Sequence, residues 1–455
     1  MRRFIVPLLA MVLITSLVVA GCRPKPPERP DFPSEMSCGM VVDLSGPNAG
    51  MGIRLSTGAE VAVQQMNDWG GIRNMYSMDL EFIVADDGGS PAQAAAEAER
   101  LITEEDVIFL MGAWPTAMTI AEVAEEYEVP FICPLSLEPI TEQGFEYTFR
   151  TTTDAVAKAV QVVAGMTESA EDAGLPPPES CFLMYVPDEQ GTPVAEAFKE
   201  QAEAAGIEIV GEEIIDTTAT SFAAQLAAAE AAAPDLLFTC NYTDDAIILY
   251  REMMERETYF PYGVYSWGCG TEDPVFYESL PLEAYEYGFV DETADPIPQV
   301  RSYYDWIDEA VQDKIGQDWN APYIATAYHA VWLVKEGLER MVPPGLTSAP
   351  GKGEQIEFSL DLGEFRNNLQ FALHKLDINR ADVEKVQLPD GSPFLPSLQV
   401  LRFDQFDFDD KGQNIYATGI ISQNIDGTRW PLYPAGQREK NSPSVVLPIP
   451  PWSER

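Results

Sequence analysis

Short apolar runs alternate with Ala- and Glu-rich amphipathic stretches along most of the chain after residue 37. The apolar runs predict buried strands at 39–44, 80–85, 107–111, 131–134, 181–186, 207–210, 236–239 and 262–265. The stretches between them carry apolar residues at helical spacing and predict helices at 58–68, 92–104, 120–128, 193–205, 222–233 and 245–256. Such alternation is typical of parallel sheets with helices on both faces. Because the series pauses near residue 150 and restarts near 181, the sequence predicts two α/β lobes.

The pattern changes after residue 290. Apolar residues at helical spacing predict two longer helices at 300–312 and 321–340, and the Pro-, Gly- and Ser-rich stretch 341–354 predicts a loop. Alternation over 415–425, followed by Asp426 and Gly427, is typical of a strand that ends in a hairpin turn.

The first residues of the chain predict export from the cytoplasm. Arg2 and Arg3 precede an apolar run over 4–20, as in a secretion signal, and 19–22 resembles the bacterial lipobox, which ends in a Cys that takes the lipid. The alternative is an uncleaved anchor helix. Residues 23–34 contain five prolines, which favour a stiff extended tether. We therefore expect a signal peptide over 1–21, lipidation of Cys22 and a tether over 22–35.

Composition excludes several classes of function. The chain has 28 Lys and Arg against 73 Asp and Glu, a net charge of −45, which argues against nucleic acid or an anionic membrane surface as a partner. Two histidines cannot build a His-rich zinc site. No nucleophile elbow, Walker loop, zinc-protease motif or dinucleotide fingerprint occurs, so we expect no catalytic site and no cofactor.

Acidic pairs and cysteines leave further alternatives. In the acidic run 404–410 a calcium loop is disfavoured, because Lys411 stands where an oxygen ligand is needed, and no metal site is expected. Asp86 and Asp87 suit helix capping better than acid–base chemistry. Five cysteines remain besides Cys22. Three lie in apolar runs and are expected to be free core thiols, and the other two form a possible disulfide; these are Cys38, Cys133 and Cys181, then Cys240 and Cys269.

An ordered set of segments resembles a known family. The segments of the first half are 44–52, 58–62, 85–93, 112–119 and 131–139, ending in 149–151; those of the second half are 185–191, 220–225, 234–238, 244–246, 325–338, 408–412 and 423–427. Their order and spacing are similar to the class I periplasmic solute-binding proteins of ABC importers, of the branched-chain amino acid and amide type.

The resemblance implies two Rossmann-like lobes of the periplasmic binding protein type 1 fold, joined by a three-crossover hinge. The first lobe would comprise 36–151 and 290–390, and the second 152–289 and 391–455. A small-molecule solute would be captured in the cleft outside the cytoplasm and passed to ABC permease subunits in the membrane, without catalysis. The alternatives are a sensory or regulatory receptor with the same clamp and, disfavoured by the missing motifs, an α/β hydrolase.

The resemblance also implies a set of ligand-binding residues at the strand ends. Ser266 stands where relatives carry the acidic partner of an ammonium group, which argues for a neutral, polar or flat ligand. Asp244, Asp245 and Glu138 are expected near the cleft, where they would meet a cationic group. The residues expected to bind the ligand are Met51, Trp114, Thr116, Ser136 and Leu137 in the first lobe, and Gln190, Tyr242, Ser266 and Trp267 in the second.

Overall fold

The computed structural model describes residues 33–188, 190–292, 301–316, 323–342, 356–357, 360–379, 386–387, 393–394, 405–417, 419–435, 438 and 442–455. The predicted signal peptide and nearly all of the predicted tether lie outside these residues. Within the described part of the chain, no helix is long and apolar enough to cross a membrane.

Five parallel strands form the first sheet, in the order β2-β1-β3-β4-β5. They are β1 (Glu35–Val42), β2 (Asp79–Asp86), β3 (Leu110–Gly112), β4 (Phe131–Cys133) and β5 (Thr148–Arg150). The helices of this half of the chain are α1 (Ala49–Asp68), α2 (Pro91–Thr103) and α3 (Ala117–Glu126). Apolar residues of α2 and α3 bury one face of the sheet, so the predicted βαβ lobe is confirmed.

The second sheet has seven strands in the order β18-β17-β10-β9-β8-β6-β7. Its strands are β6 (Ser180–Tyr185), β7 (Glu208–Ile214), β8 (Leu236–Cys240), β9 (Val264–Trp267), β10 (Phe289–Glu292), β17 (Ile420–Ile425) and β18 (Thr428–Tyr433). The first five are parallel, and the last two form an antiparallel hairpin. The predicted turn is confirmed, because Asp426 and Gly427 both have positive φ angles, as a two-residue hairpin loop requires.

Helices cover both faces of the second sheet. They are α4 (Ala155–Asp172), α5 (Gly191–Ala204), α6 (Ala223–Ala232), α7 (Thr243–Arg256), α8 (Pro274–Ser279) and α9 (Leu282–Tyr285). Two separate apolar clusters result, one under α4 and α5 and the other under α6 and α7. The second α/β lobe predicted from the restart of the pattern is therefore confirmed.

After β10 the chain returns to the first lobe. Helix α10 (Arg301–Ile315) packs on α1, and Lys314 Nζ lies 2.7 Å from Glu60 Oε2. Helix α11 (Ile324–Leu338) also packs on α1, and every one of its residues is buried. Helix α12 (Leu362–His374) packs on α11.

Short strand pairs complete the described part of the chain. They are β11 (Met341–Val342) with β12 (Ile356–Glu357), β13 (Asp377–Asn379) with β16 (Gln405–Asp407), and β14 (Val386–Gln387) with β15 (Pro393–Phe394). The last crossover begins beside the first: Arg150 pairs with Gln413 in a parallel bridge, and Asn414 Nδ2 donates to Thr151 O at 2.9 Å. The first and last segments that cross between the lobes therefore lie side by side, and they form the hinge.

Three of the cysteines lie in the core as predicted. Cys38, Cys133 and Cys181 are buried and free, and burial raises the pKa of the Cys133 thiol to about 11. Cys240 is buried as well, but the side chain of Cys269 lies outside the described residues, so the alternative disulfide stays a prediction.

Candidate functional site

A cavity of about 320 Å³ lies between the two sheets, where loops follow the carboxyl ends of their parallel strands. This is the position in which open α/β sheets bind ligands. The first lobe and α11 line it with Pro47, Asn48, Gly50, Met51, Arg54, Trp114, Pro134, Leu135, Ser136, Leu137, Tyr323, Ala325 and Thr326. The hinge and the second lobe add Thr152, Lys158, Gln190, Tyr242, Thr243, Trp267, Glu272, Asp273 and Arg429.

Seven of the nine predicted ligand-binding residues line this cavity. In the first lobe, Met51 lies in the first turn of α1, Trp114 follows β3, and Ser136 and Leu137 follow β4. The Ser136 hydroxyl lies 3.5 Å from the Thr152 hydroxyl, which joins this wall to the hinge. In the second lobe, the lining members are Gln190, Tyr242 and Trp267.

One aspartate fixes two of these second-lobe residues. Asp188 Oδ1 accepts the backbone N–H of Gln190 at 3.0 Å, and Asp188 Oδ2 accepts the Tyr242 hydroxyl at 2.5 Å. Gln190 is the N-cap residue of α5, and Tyr242 is the N-cap residue of α7. The carboxylate therefore ties together the beginnings of two helices at the cavity wall.

Two predicted residues lie elsewhere. The Thr116 hydroxyl donates to Asp87 Oδ2 at 2.5 Å, and Thr116 is only 1% exposed. Ser266 is equally buried, and its hydroxyl lies 2.7 Å from that of Tyr250, under the helices of the second lobe. Neither side chain lines the cavity, because the family resemblance implied a position along the chain but not the direction of the side chain.

Two of the three acidic residues expected near the cleft do not line the cavity. Asp244 and Asp245 lie in the first turn of α7 and do not line the cavity, and burial raises the pKa of Asp245. The side chain of Glu138 lies outside the described residues.

Asp86 and Asp87 bind the turn between β2 and α2 rather than cap the helix. Their carboxylates accept the backbone N–H groups of Gly88 and Gly89, at 2.9 and 2.8 Å, while Ser90 is the capping residue of α2. Asp43 lies beside them, so that one oxygen from each of the three carboxylates falls within 4.8 Å of the others. Backbone N–H groups of the β1–α1 loop donate to Asp43.

Five charged residues of the cavity wall were missed by the sequence analysis: Arg54, Lys158, Glu272, Asp273 and Arg429. Arg54 and Lys158 lie inside helices, where helical spacing alone does not show which polar residue faces a cleft. Arg429 lies on β18, which reaches the cavity only through long-range strand pairing. The dipeptide Glu272-Asp273, just after β9, was the one available signal, since carboxyl ends of parallel strands carry binding residues.

Lys158 forms a buried ion pair at the floor of the cavity. Its Nζ lies 3.0 Å from Asp291 Oδ2 and 4.7 Å from the ring centroid of Trp267. The two charged side chains are 5% and 1% exposed. Burial raises the pKa of Asp291, and Lys158 acts in the opposite direction. The ammonium therefore both neutralises Asp291 and supports Trp267 through a cation–π contact.

Two contacts cross the cavity from one lobe to the other. The rings of Trp114 and Tyr242 stack with centroids 6.2 Å apart and an interplanar angle of 28°. Arg54 Nη1 lies 2.8 Å from Asp273 Oδ2. The structure therefore shows the cleft in a closed arrangement.

Tyr323 adds a strained element to the wall. It precedes α11 with a φ of 79°, a left-handed conformation that bulky residues rarely adopt. Its carbonyl accepts the Thr326 hydroxyl at 2.9 Å, which holds the beginning of the helix at the cavity.

Comparison with known proteins identifies the family to which this architecture belongs. The family model described as periplasmic binding protein matches residues 35–352, more than half of the chain. The chain belongs to the periplasmic binding protein family. The resemblance drawn from the sequence is thereby confirmed: this is a family of extracytoplasmic solute-binding proteins and not of enzymes.

Curated relatives of this periplasmic binding protein are distant. The Leu/Ile/Val-binding protein homolog 7 of Brucella abortus is 23% identical over 371 residues, covering 79% of this chain and 90% of the relative. The Leu/Ile/Val-binding protein homolog 3 of Brucella melitensis is 25% identical over 223 residues; the match covers 48% of this chain and 58% of that relative's length.

Solved structures share the fold. The branched-chain amino acid substrate-binding protein LivJ of Streptococcus pneumoniae, in complex with isoleucine, superposes with a TM-score of 0.64 at 18% identity, covering 87% of this chain and 97% of LivJ. A solute-binding protein of R. palustris in complex with benzoate gives a TM-score of 0.62 at 16% identity, covering 88% and 95%. At these identities the likeness concerns the fold alone.

Proposed function

We propose that this protein is the lipid-anchored solute-binding component of an ABC importer, and that it captures a small amino acid with an apolar side chain by closing its two lobes. The observation that carries this proposal is the closed cavity, which is lined by charges of both signs and by aromatic rings. Its volume of about 320 Å³ is at the small end of ligand pockets, which suits a solute of amino-acid size.

Both ends of a zwitterion find a partner in this wall. Arg429 supplies positive charge for a carboxylate, and Glu272 supplies the negative charge that an ammonium group needs and that Ser266 lacks. A buried ammonium needs such a partner, because an unpaired charge in a closed cleft is costly. The sequence argued against an α-amino acid because Ser266 stands where relatives carry an acidic residue. Glu272 lies six residues further along the chain, in the cavity wall, and carries the missing negative charge.

The remainder of the wall suits an apolar side chain. Met51, Leu137, Trp114 and Tyr242 present aliphatic and aromatic surface from both lobes. The relatives named as Leu/Ile/Val-binding homologs, and the isoleucine complex of LivJ, support the same class of ligand. The benzoate complex of the R. palustris protein supports a flat carboxylate as the competing class.

A calorimetric comparison of two ligand classes tests the proposal. We expect L-leucine or L-isoleucine to bind, and Glu272→Gln to weaken that binding at least tenfold, since the ammonium would lose its charged partner. Binding of benzoate, which has no ammonium group, should be weak and insensitive to the substitution. Glu278→Gln is the control, because Glu278 is an exposed carboxylate on α8 outside the cavity wall. Tight binding of benzoate with no binding of either amino acid would contradict the proposed ligand class.

The anchor is tested separately in cells. Cys22→Ser should abolish incorporation of radiolabelled fatty acid and leave an uncleaved precursor, because the lipid is attached through the thiol of that residue. Cys38→Ser is the control, since Cys38 is buried in β1 and should leave the label unchanged. Equal labelling of the wild-type protein and Cys22→Ser would show that the 19–22 segment is not a lipobox.

A further inference from the structure

We propose that Arg54 and Asp273 form an inter-lobe latch, an ion pair that stabilises the closed cleft without being required as a ligand contact. They are positioning residues, because they act on the equilibrium between open and closed lobes. The inference rests on the proposed capture by lobe closure, but it does not depend on the identity of the ligand.

The two partners are held by different lobes. Arg54 lies on α1, beside the first sheet, and Asp273 precedes α8, beside the second sheet. Asp273 Oδ1 accepts the backbone N–H of Val275 at 2.9 Å, so that its other oxygen, Oδ2, points to Arg54 Nη1 at 2.8 Å. Since both residues are fixed to regular elements, Arg54 Nη1 and Asp273 Oδ2 can come this close only when the lobes approach each other.

The charge distribution makes this attraction significant. Residues 35–151 contain 20 Asp and Glu against four Lys and Arg, and residues 152–292 contain 28 against four. Lobes of the same strong sign repel each other, and the repulsion grows as they close. An arginine at the cleft, in a segment with so few cations, directly opposes that repulsion.

The burial of the pair separates it from ordinary surface pairs. The side chains of Arg54 and Asp273 are 11% and 18% exposed, whereas those of Lys199 and Glu212, a pair inside the second lobe, are 31% and 36% exposed. Exposed pairs contribute little because water and salt screen them. In the open state both latch partners would be solvated, so the pair acts on closure rather than on folding of either lobe.

Small-angle X-ray scattering of the ligand-free protein tests the latch at physiological ionic strength, where charges further apart than about 8 Å are largely screened. We expect Arg54→Gln and Asp273→Asn each to lower the closed-to-open ratio about tenfold. Asparagine keeps the capping role of Asp273, so that α8 retains its beginning. Arg54→Lys keeps the positive charge and leaves the Asp273 cap in place, so it should retain most of the ratio, which a merely structural role would not predict.

Lys199→Gln is the matched control and should leave both the scattering profile and the melting temperature unchanged, because its pair lies within one lobe. The latch is overturned if the single variants scatter like the wild-type protein, or if they lower the melting temperature with no shift toward the open form. Failure of every amino acid to bind would contradict the proposed ligand and leave this ligand-free result unaffected.

Discussion

Replacement of Lys158 by methionine should destabilise the protein by about 3–5 kcal/mol at neutral pH, the usual cost of removing one partner of a buried ion pair. The Asp291 side chain is 1% exposed on β10, and the Lys158 ammonium at 3.0 Å is its charged partner. Methionine fills a similar volume but leaves the carboxylate without compensation. Chemical denaturation followed by tryptophan fluorescence measures the loss.

The loss should depend on pH with a definite sign. Burial already raises the pKa of Asp291 in the folded protein, and removal of Lys158 raises it further. A folded-state pKa above the unfolded value means that the folded state binds the proton more tightly. The stability of Lys158→Met should therefore be greatest in acid, and it should be lost as the pH rises from the ordinary range of a carboxyl group toward the raised folded pKa.

Two variants complete this experiment. The double variant Lys158→Met with Asp291→Leu should regain most of the stability, because well-packed apolar residues often replace a buried ion pair without loss. Lys199→Met, at a pair that is about one-third exposed, should change stability by about 0–1 kcal/mol. A loss in Lys158→Met that is equally large at pH 5 and pH 8 would show that Asp291 does not carry the effect.

The alternation of strands and helices was predictable because it depends on local spacing. The predicted strands 181–186 and 236–239 agree with β6 and β8 within one residue at each end. The boundaries of the predicted helix 58–68 were wrong at the start, since α1 begins at Ala49. Its first turns contain Gly50 and Gly52, which disfavour helix in isolation, and tertiary contacts override that preference.

The position of the cavity could be predicted from the sequence, but the charged residues of its wall could not. Strand-end loops were expected to form the wall, and Trp114, Tyr242 and Trp267 lie there. Resemblance to a family implies a position along the chain, but the direction of a side chain depends on its neighbours. The Thr116 hydroxyl is hydrogen-bonded to Asp87 and the Ser266 hydroxyl to that of Tyr250. Lys158, in contrast, faces the cleft from within a helix.

The predicted lobe boundaries remain predictions, and the pairing partners of strands β10 and β16 are relevant to them. Strand β10 pairs with β9 of the second sheet, and β16 pairs with β13, which follows α12 in the chain. Pairings of this kind join residues distant in sequence, so periodicity does not reveal them. Periodicity therefore predicted the type of element more reliably than the lobe to which it belongs.

Gly58→Ala should destabilise the protein by about 3 kcal/mol, although alanine is the better helix former. A Cβ atom at this position would lie 2.2 Å from the carbonyl oxygen of Ile324 and 2.9 Å from its carbonyl carbon. Both are backbone atoms of α11, so no rotamer change relieves the clash, and α1 and α11 must separate. Thermal denaturation should show a lower melting temperature.

Gly50→Ala is the matched control on the same helix, and it should have the opposite sign. A Cβ atom there meets nothing within 4 Å, so alanine should stabilise the protein by about 0.5–1 kcal/mol through its lower backbone entropy in the unfolded chain. Because α11 also carries Ala325 and Thr326 into the cavity wall, Gly58→Ala should weaken solute binding as well. Equal melting temperatures for the two alanine variants would show that the approach of α11 to Gly58 does not determine the packing of these helices.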